Sequence, residues 1–187
     1  MNMKFKNTYI YVFLIIIFGL IFLFLKNYKA PIINGVRLVN FEEKRDRLFI
    51  KQVINDDYDW LVNYPNFDVD FMIDNKVPSK ERMEHLGKLN IKVLVDNEKP
   101  VGFLTYHPKN FRTAWIQFLA ISKEARGKGY AKRILEDIFA ELKEKGFENV
   151  QLLTRTNNER ARNLYEKMGF ELTESDPSGI VYFNKNF

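Results

Sequence analysis

The chain of 187 residues contains no cysteine. That excludes disulfides, thiolate metal sites and a cysteine nucleophile together. Histidine is nearly absent too, with only His85 and His107, so a histidine-built metal centre is not expected. Basic excess is also missing over most of the chain. The formal charge is +5, but Lys4, Lys6, Lys26 and Lys29 stand without any acid in residues 1–30. The remainder carries 25 Lys and Arg against 24 Asp and Glu. A broad basic face for nucleic acid is therefore not expected, although the sequence pI is basic. Charge is wholly absent from one stretch, Tyr9 to Leu25, which reads YIYVFLIIIFGLIFLFL.

That stretch has 17 residues and spans roughly 26 Å as a helix. A hydrocarbon core is about 30 Å thick. Tyr9, Tyr11 and Tyr28, with snorkelling Lys6 and Lys26, suit the two interfaces. The stretch reads as an uncleaved transmembrane anchor. A cleaved signal peptide and a buried core helix are its rivals. Against cleavage, bulky Tyr28 precedes Ala30, and Pro31 follows. Flanking lysines on both sides leave orientation to be decided by function. The organisation expected is a tail (1–8), a transmembrane helix (9–25), a linker (26–35) and one domain (36–187).

What the chain has in quantity is apolar matter, with 46% hydrophobic residues, 17 Phe and 9 Tyr, enough for a core. Strands are expected at Val36–Phe41, Ile91–Val95, Val101–His107, Ala114–Ile121, Val150–Leu153, Phe170–Leu172 and Ile180–Phe183. Glu42 to about Ile54 reads as a helix with Leu48, Phe49, Val53 and Ile54 inward. Asp57 to Lys88 mixes short helices and loops, rich in acids and aromatics. Tyr130 to Leu142 has one apolar helical face, and Gly146 ends it. Asn158 caps a last helix whose stripe is Ala161, Leu164, Tyr165 and Met168, closed by Gly169.

The stretch EARGKGYAKRIL, residues 124–135, sets two glycines among four basic residues directly before a helix. The first N–H groups of a helix lack intrahelical partners, and its dipole end is positive. With Arg126 and Lys128 beside a close backbone approach at Gly129, the turn is fit to cradle a pyrophosphate. An ordinary solvated loop is the alternative. The stretch lacks both the G-x-x-x-x-G-K-[ST] and the G-x-G-x-x-G patterns.

The turn matches Q/R-x-x-G-x-G/A at Arg126, Gly129 and Ala131. About 30 residues later, N-x-x-A-x-x-L-Y-x-K-x-G-F is matched by Asn158, Ala161, Leu164, Tyr165, Lys167, Gly169 and Phe170. In this order and spacing the chain resembles the GCN5-related N-acetyltransferase (GNAT) family, over roughly Val36 to Phe183. The resemblance implies an α/β fold with a mixed central sheet, splayed at its fourth strand, with flanking helices and acetyl-CoA in the gap. It implies that the backbone of Leu119, Ala120 and Ile121 pairs with the pantetheine arm. It further implies that the amides of Arg126, Gly127, Lys128, Gly129, Tyr130 and Ala131 bind the pyrophosphate. Asn158 would contact the pantetheine side.

Acetyl transfer to an amine needs a neutral amine, a donor for the developing oxyanion and a proton for the departing thiolate. The backbone near Leu119 to Ile121 suits the second task. Tyr165 matches the family's general acid, with a plain core residue as the alternative reading. The base is not evident. Many relatives carry a glutamate on the fourth strand, but AWIQFLAI (114–121) has no carboxylate, and Gln117 cannot act as a base. His107 is the candidate by side-chain type; an exposed strand-end histidine, a water chain or an acid from Asp57 to Asp74 are its competitors. His85 reads as surface. In the family, the region after the first strand shapes the acceptor cleft. Here Asp56, Asp57, Asp59, Asp68, Asp70 and Asp74 alternate with aromatics, which suits a cationic amine or is simply a solvated face. The expected function is a membrane-tethered N-acetyltransferase using acetyl-CoA and an amine acceptor. Its domain faces the cytoplasm, where acetyl-CoA is found. A catalytically inactive acyl-CoA sensor or scaffold of the same fold is the competing reading, and a generic nucleotide-binding membrane protein is a third.

Overall fold

The computed structural model describes residues 35–62, 67–76 and 88–187. The expected anchor at 9–25 and His85 lie outside these residues. Among the described residues, no helix is long and apolar enough to cross a membrane.

Seven strands form one sheet: β1 (Val36–Asn40), β2 (Asn90–Asp96), β3 (Lys99–Pro108), β4 (Thr113–Ile121), β5 (Asn149–Arg155), β6 (Glu171–Ser175) and β7 (Ile180–Asn186). Their order is β1-β2-β3-β4-β5-β7-β6. Neighbours are antiparallel except β4 and β5, which run parallel. A parallel pair needs a crossover. The helix α4 (Tyr130–Glu144) supplies it. The other helices are α1 (Glu43–Asp56), α2 (Tyr58–Leu61), α3 (Val69–Asn75) and α5 (Glu159–Lys167).

Period-two alternation sorts the strands onto two faces. Leu94 and Leu104 face α4, where Ile134, Leu135, Ile138 and Leu142 are buried against them. Val93, Val95 and Phe103 point the other way, onto Ile50, Val53 and Ile54 of α1 and Met72 of α3. Each such side chain stabilises the fold by about 1.5–3 kcal/mol relative to exposure.

Three local signals shape these elements. Asn97 and Glu98, with φ of 47° and 65°, turn the β2–β3 hairpin. Positive φ at both central residues matches the right-handed strand twist. Gly146, with φ of 82°, ends α4. Asn158 caps α5, its side chain accepting from the Ala161 N–H at 3.2 Å.

One stripe is corrected. Leu48 is 79% exposed, whereas Asp46 is fully buried together with Ile50, Val53 and Ile54. The buried face of α1 runs i, i+4, i+7, i+8 from an acid. The Asp46 carboxylate accepts from the Glu42 N–H at 2.8 Å and from Arg45 at 2.6 Å and 2.7 Å. A buried charge that is paired and bonded to an orphan helix N–H is tolerated. Of the expected stripe, Leu48 alone is misplaced: Val53 and Ile54 are buried and Phe49 packs half-buried against the same core.

Candidate active site

β4 and β5 pair only at Thr113–Asn149, Ala114–Val150 and Trp115–Gln151. Both strands then continue, to Ile121 and Arg155, without pairing each other. The cause is visible on the other side of β4. Thr105 pairs with Phe118, but Tyr106 pairs with Ile116, so Gln117 is an extra residue on β4. Such a bulge bends its strand and increases its twist. Beyond it, the β5-facing edge of β4 has no strand partner among the described residues, and an extended ligand can take the vacant place.

A cavity of about 460 Å³ occupies the gap. Leu119, Ala120 and Ile121 of β4 form one wall; Asn158, Ala161 and Tyr165 of α5 form the opposite one. Arg126, Ala131, Asp57 and Trp60 complete it on the side of α4 and α2. The volume lies within the usual range for a small-ligand site. A smaller chamber of about 90 Å³ shares Leu119, Asn158, Tyr165 and Trp60 and reaches Gln117 and Arg155.

The basic turn follows a 3-10 turn, Lys123–Ala125. Gly127 and Gly129 have φ of 80° and 81°. A Cβ on either would meet nothing within 4 Å. Glycine is thus required there by the left-handed backbone, not by crowding. Gly129 is the N-cap of α4, with no side-chain cap bond and no acid in the first turn. The positive helix end is left open to an anion. Acetyl-CoA fits this set: an uncapped helix start for its pyrophosphate, an open strand edge for its extended arm, and a cavity of matching kind between them.

The structure brings Leu119, Ala120, Ile121, Arg126, Ala131, Asn158 and Tyr165 to one cavity. Gly127, Lys128, Gly129 and Tyr130 are not among its walls, but they join two residues that are. Lys128 is exposed. The Tyr130 side chain turns to the β2–β3 hairpin, its hydroxyl donating to Asp96 at 2.5 Å. Only the backbone of Tyr130 is offered to a ligand.

Tyr165 lines both chambers, and its ring packs on Phe170 and Phe183 at 5.6 Å and 5.7 Å. The two readings of Tyr165, core and site, are therefore compatible. Burial pushes its hydroxyl up to about 12, so it stays protonated at neutral pH.

His107 is not brought to the cavity. It is 2% exposed rather than at an open strand end, because β3 runs on through Pro108. Its Nδ1 lies 3.2 Å from the Pro108 carbonyl, and it pairs across the sheet with Trp115.

The acids after β1 do not gather into a cleft. Asp70 pairs with Arg47 at 2.8 Å and Lys51 at 2.6 Å, and Asp74 also pairs with Arg47. Asp68 caps α3, accepting from the Phe71 N–H at 2.9 Å. Of the six, Asp57 alone lines the cavity, where it pairs with Arg126.

Sequence reasoning missed three contributors: Gln117 as the bulge, Arg155 as a chamber wall, and Gly102. A Cβ at Gly102 would fall 2.4 Å from Ile121 Cδ1 and 2.9 Å from the Ala120 carbonyl oxygen. The one available signal was a glycine inside a strand pattern.

The sequence profile described as "Acetyltransferase (GNAT) family" matches residues 50–170. N-alpha-acetyltransferase 30 of Schizosaccharomyces pombe is 32% identical over 82 residues, which is 42% of this chain and 55% of that protein. The chain thus aligns with little more than half the length of that relative. A GCN5-related N-acetyltransferase from Kribbella flavida superposes with a TM-score of 0.68 at 16% identity, covering 82% of this chain and 98% of that one. Spermidine N-acetyltransferase from Vibrio cholerae, solved with CoA and spermine, gives 0.66 at 18% identity, covering 81% and 95%. At these identities the two structures speak for the fold alone. The profile match spans more than half of the chain and coincides with the splayed strands, the glycine turn and the capped last helix. The chain belongs to the GNAT acetyltransferase family.

Proposed function

We propose that this chain is an acetyl-CoA-dependent N-acetyltransferase, tethered to a membrane through residues 9–25, with residues 36–187 as its catalytic domain. The observation that carries the reading is the gap between β4 and β5, which has the open helix start at one end and a protonated Tyr165 in its wall. Acetyl-CoA supplies the thioester that an amine attacks directly in a ternary complex. The amides of 126–131 and the Arg126 guanidinium hold the pyrophosphate. The open edge at Leu119 to Ile121 aligns the pantetheine arm, and one of its N–H groups is the donor for the oxyanion. Tyr165 gives its proton to the departing sulfur. Membership of the family and the relative acting on α-amines support a primary amine as acceptor.

The uncharged run at 9–25 supports the tether, and cytosolic acetyl-CoA supports a cytoplasmic domain with Asn2 on the far side. Protease protection of full-length protein in sealed vesicles tests this: the domain is digested only where its side is exposed.

A second reading is an acyl-CoA sensor or scaffold. It is favoured by the lack of a carboxylate on β4 and by His107 lying outside the cavity. Titration calorimetry with acetyl-CoA, with ATP as control, comes first; thiol release with an amine panel follows. Binding with release supports the enzyme, and binding without release supports the sensor. Arg126→Glu combined with Gly129→Glu is expected to abolish acetyl-CoA binding in a folded protein. Survival of binding would refute the cradle.

A further inference from the structure

We propose that Arg155 selects the acceptor, and that the acceptor is an amine bearing a carboxylate near the reacting nitrogen. The inference rests on the transferase reading above and gives its substrate class. Among the described residues, the inner chamber contains no Asp or Glu, and Arg155 is its one charged side chain. Arg155 ends β5, paired with Ile180 of β7. Its Nε donates to the Asp59 carbonyl at 3.0 Å and its Nη2 to the Val62 carbonyl at 3.4 Å. Both partners are neutral. No carboxylate among the described residues lies within ion-pair distance of it. A guanidinium carries five N–H donors, so three remain for a ligand. Arginine is suited to hold a carboxylate with two parallel bonds.

The same chamber has the complementary group for the amine. Gln117 sits at the bulge, and its Oε1 is buried with no hydrogen-bond partner among the described residues. A buried acceptor without a donor is costly and calls for a ligand or water to fill it. An amine N–H meets that need. Tyr165 lines the chamber too, so the amine site and the acid share one space. The chamber therefore offers an acceptor for nitrogen, a cation for a carboxylate and apolar walls at Trp60 and Leu153. A polyamine is disfavoured, because its second ammonium would face Arg155. Asp70 and Asp74 are held by Arg47 and Lys51, and Asp57 by Arg126; Asp57 and Glu159 line the larger cavity and not this chamber.

The carboxylate can come from a free amino acid or from an acidic residue at a peptide N-terminus. The test is acetyl-CoA thiol release by the full chain with four acceptors: free alanine, a peptide beginning with two acidic residues, a neutral peptide, and spermidine. The better carboxylate-bearing acceptor is expected to exceed spermidine in kcat/KM by roughly tenfold or more. Which of alanine and the acidic peptide wins identifies the source. Arg155→Gln is expected to cut that ratio at least tenfold through KM, with acetyl-CoA affinity unchanged. Arg155→Lys keeps the charge without the fork and should retain only part of the preference. Arg155→Glu should invert it. A wild-type preference for spermidine, or a ratio that Arg155→Gln leaves unchanged, overturns this inference alone. Acetyl-CoA binding without release from any amine overturns the transferase reading and this one with it.

Discussion

Arg126 is ion-paired with Asp57, 69 residues earlier in the chain, inside the wall of the cofactor cavity. The same guanidinium donates through Nε to the Ile121 carbonyl at 3.1 Å, which holds it at the end of β4. Asp57 links α1 to α2, so the pair joins these helices to the basic turn. On the proposed reading, an incoming pyrophosphate would compete with Asp57 for this guanidinium. Asp57→Asn keeps the shape and removes the competitor. The affinity for acetyl-CoA is expected to rise roughly threefold to tenfold at low salt, and less at high salt. Titration calorimetry at two ionic strengths checks it; weaker binding would mean Asp57 organises the site rather than competing for it.

Tyr165→Phe retains the buried ring and removes the proton. We expect kcat to fall roughly a hundredfold with KM little changed. An unchanged kcat would return Tyr165 to the core alone. The pH dependence has a definite sign. Burial raises both Tyr165 and Tyr106 to about 12, above their unfolded value near 10. Their contribution to stability is present below pH 10 and is lost as pH rises from 10 towards 12. Within that window each removes up to about 1.4 kcal/mol per pH unit. Urea unfolding at pH 9, 10 and 11 measures the slope. Tyr165→Phe should flatten that slope without abolishing it, because Tyr106 and Tyr130 are raised as well.

Asn158 holds two elements together. Its Oδ1 accepts from the Ala161 N–H, and its Nδ2 donates to Thr154 Oγ1 at 3.1 Å. Asn158→Ala should cost about 1 kcal/mol by loss of the cap. Asn158→Asp keeps the cap acceptor and should recover most of that. If both variants unfold alike, the Thr154 bond matters more than the cap.

Gly102 lies on β3 behind the cavity wall. Its closest neighbours for an added Cβ are Ile121 and the Ala120 backbone. Ile121 can shift its side chain, but the Ala120 carbonyl moves only with β4. Gly102→Ala is therefore expected to cost about 1–3 kcal/mol and to weaken acetyl-CoA binding by displacing Ala120 and Ile121. Thermal melts with and without acetyl-CoA separate the two effects: a loss of Tm with undiminished ligand stabilisation would confine Gly102 to packing.

Much of this protein is written within a few residues at a time, and the sequence by itself determines it. The glycine turn before α4, the Asn158 cap, the glycine stops and the alternation in β2 and β3 depend on turn chemistry, capping and side-chain period. These act between neighbours up to about four positions apart. The uncharged run at 9–25 is likewise a fact of sequence. The rest is decided by long-range pairing. The splay of β4 from β5 arises because Gln117 bulges and because 113–115 happen to pair with 149–151. The burial of His107, the tie of Asp57 to Arg126, and the gathering of Arg155 and Gln117 into the wall of one chamber have no local signature. Each depends on which strands become neighbours and which face turns inward, and only the packed sheet settles that.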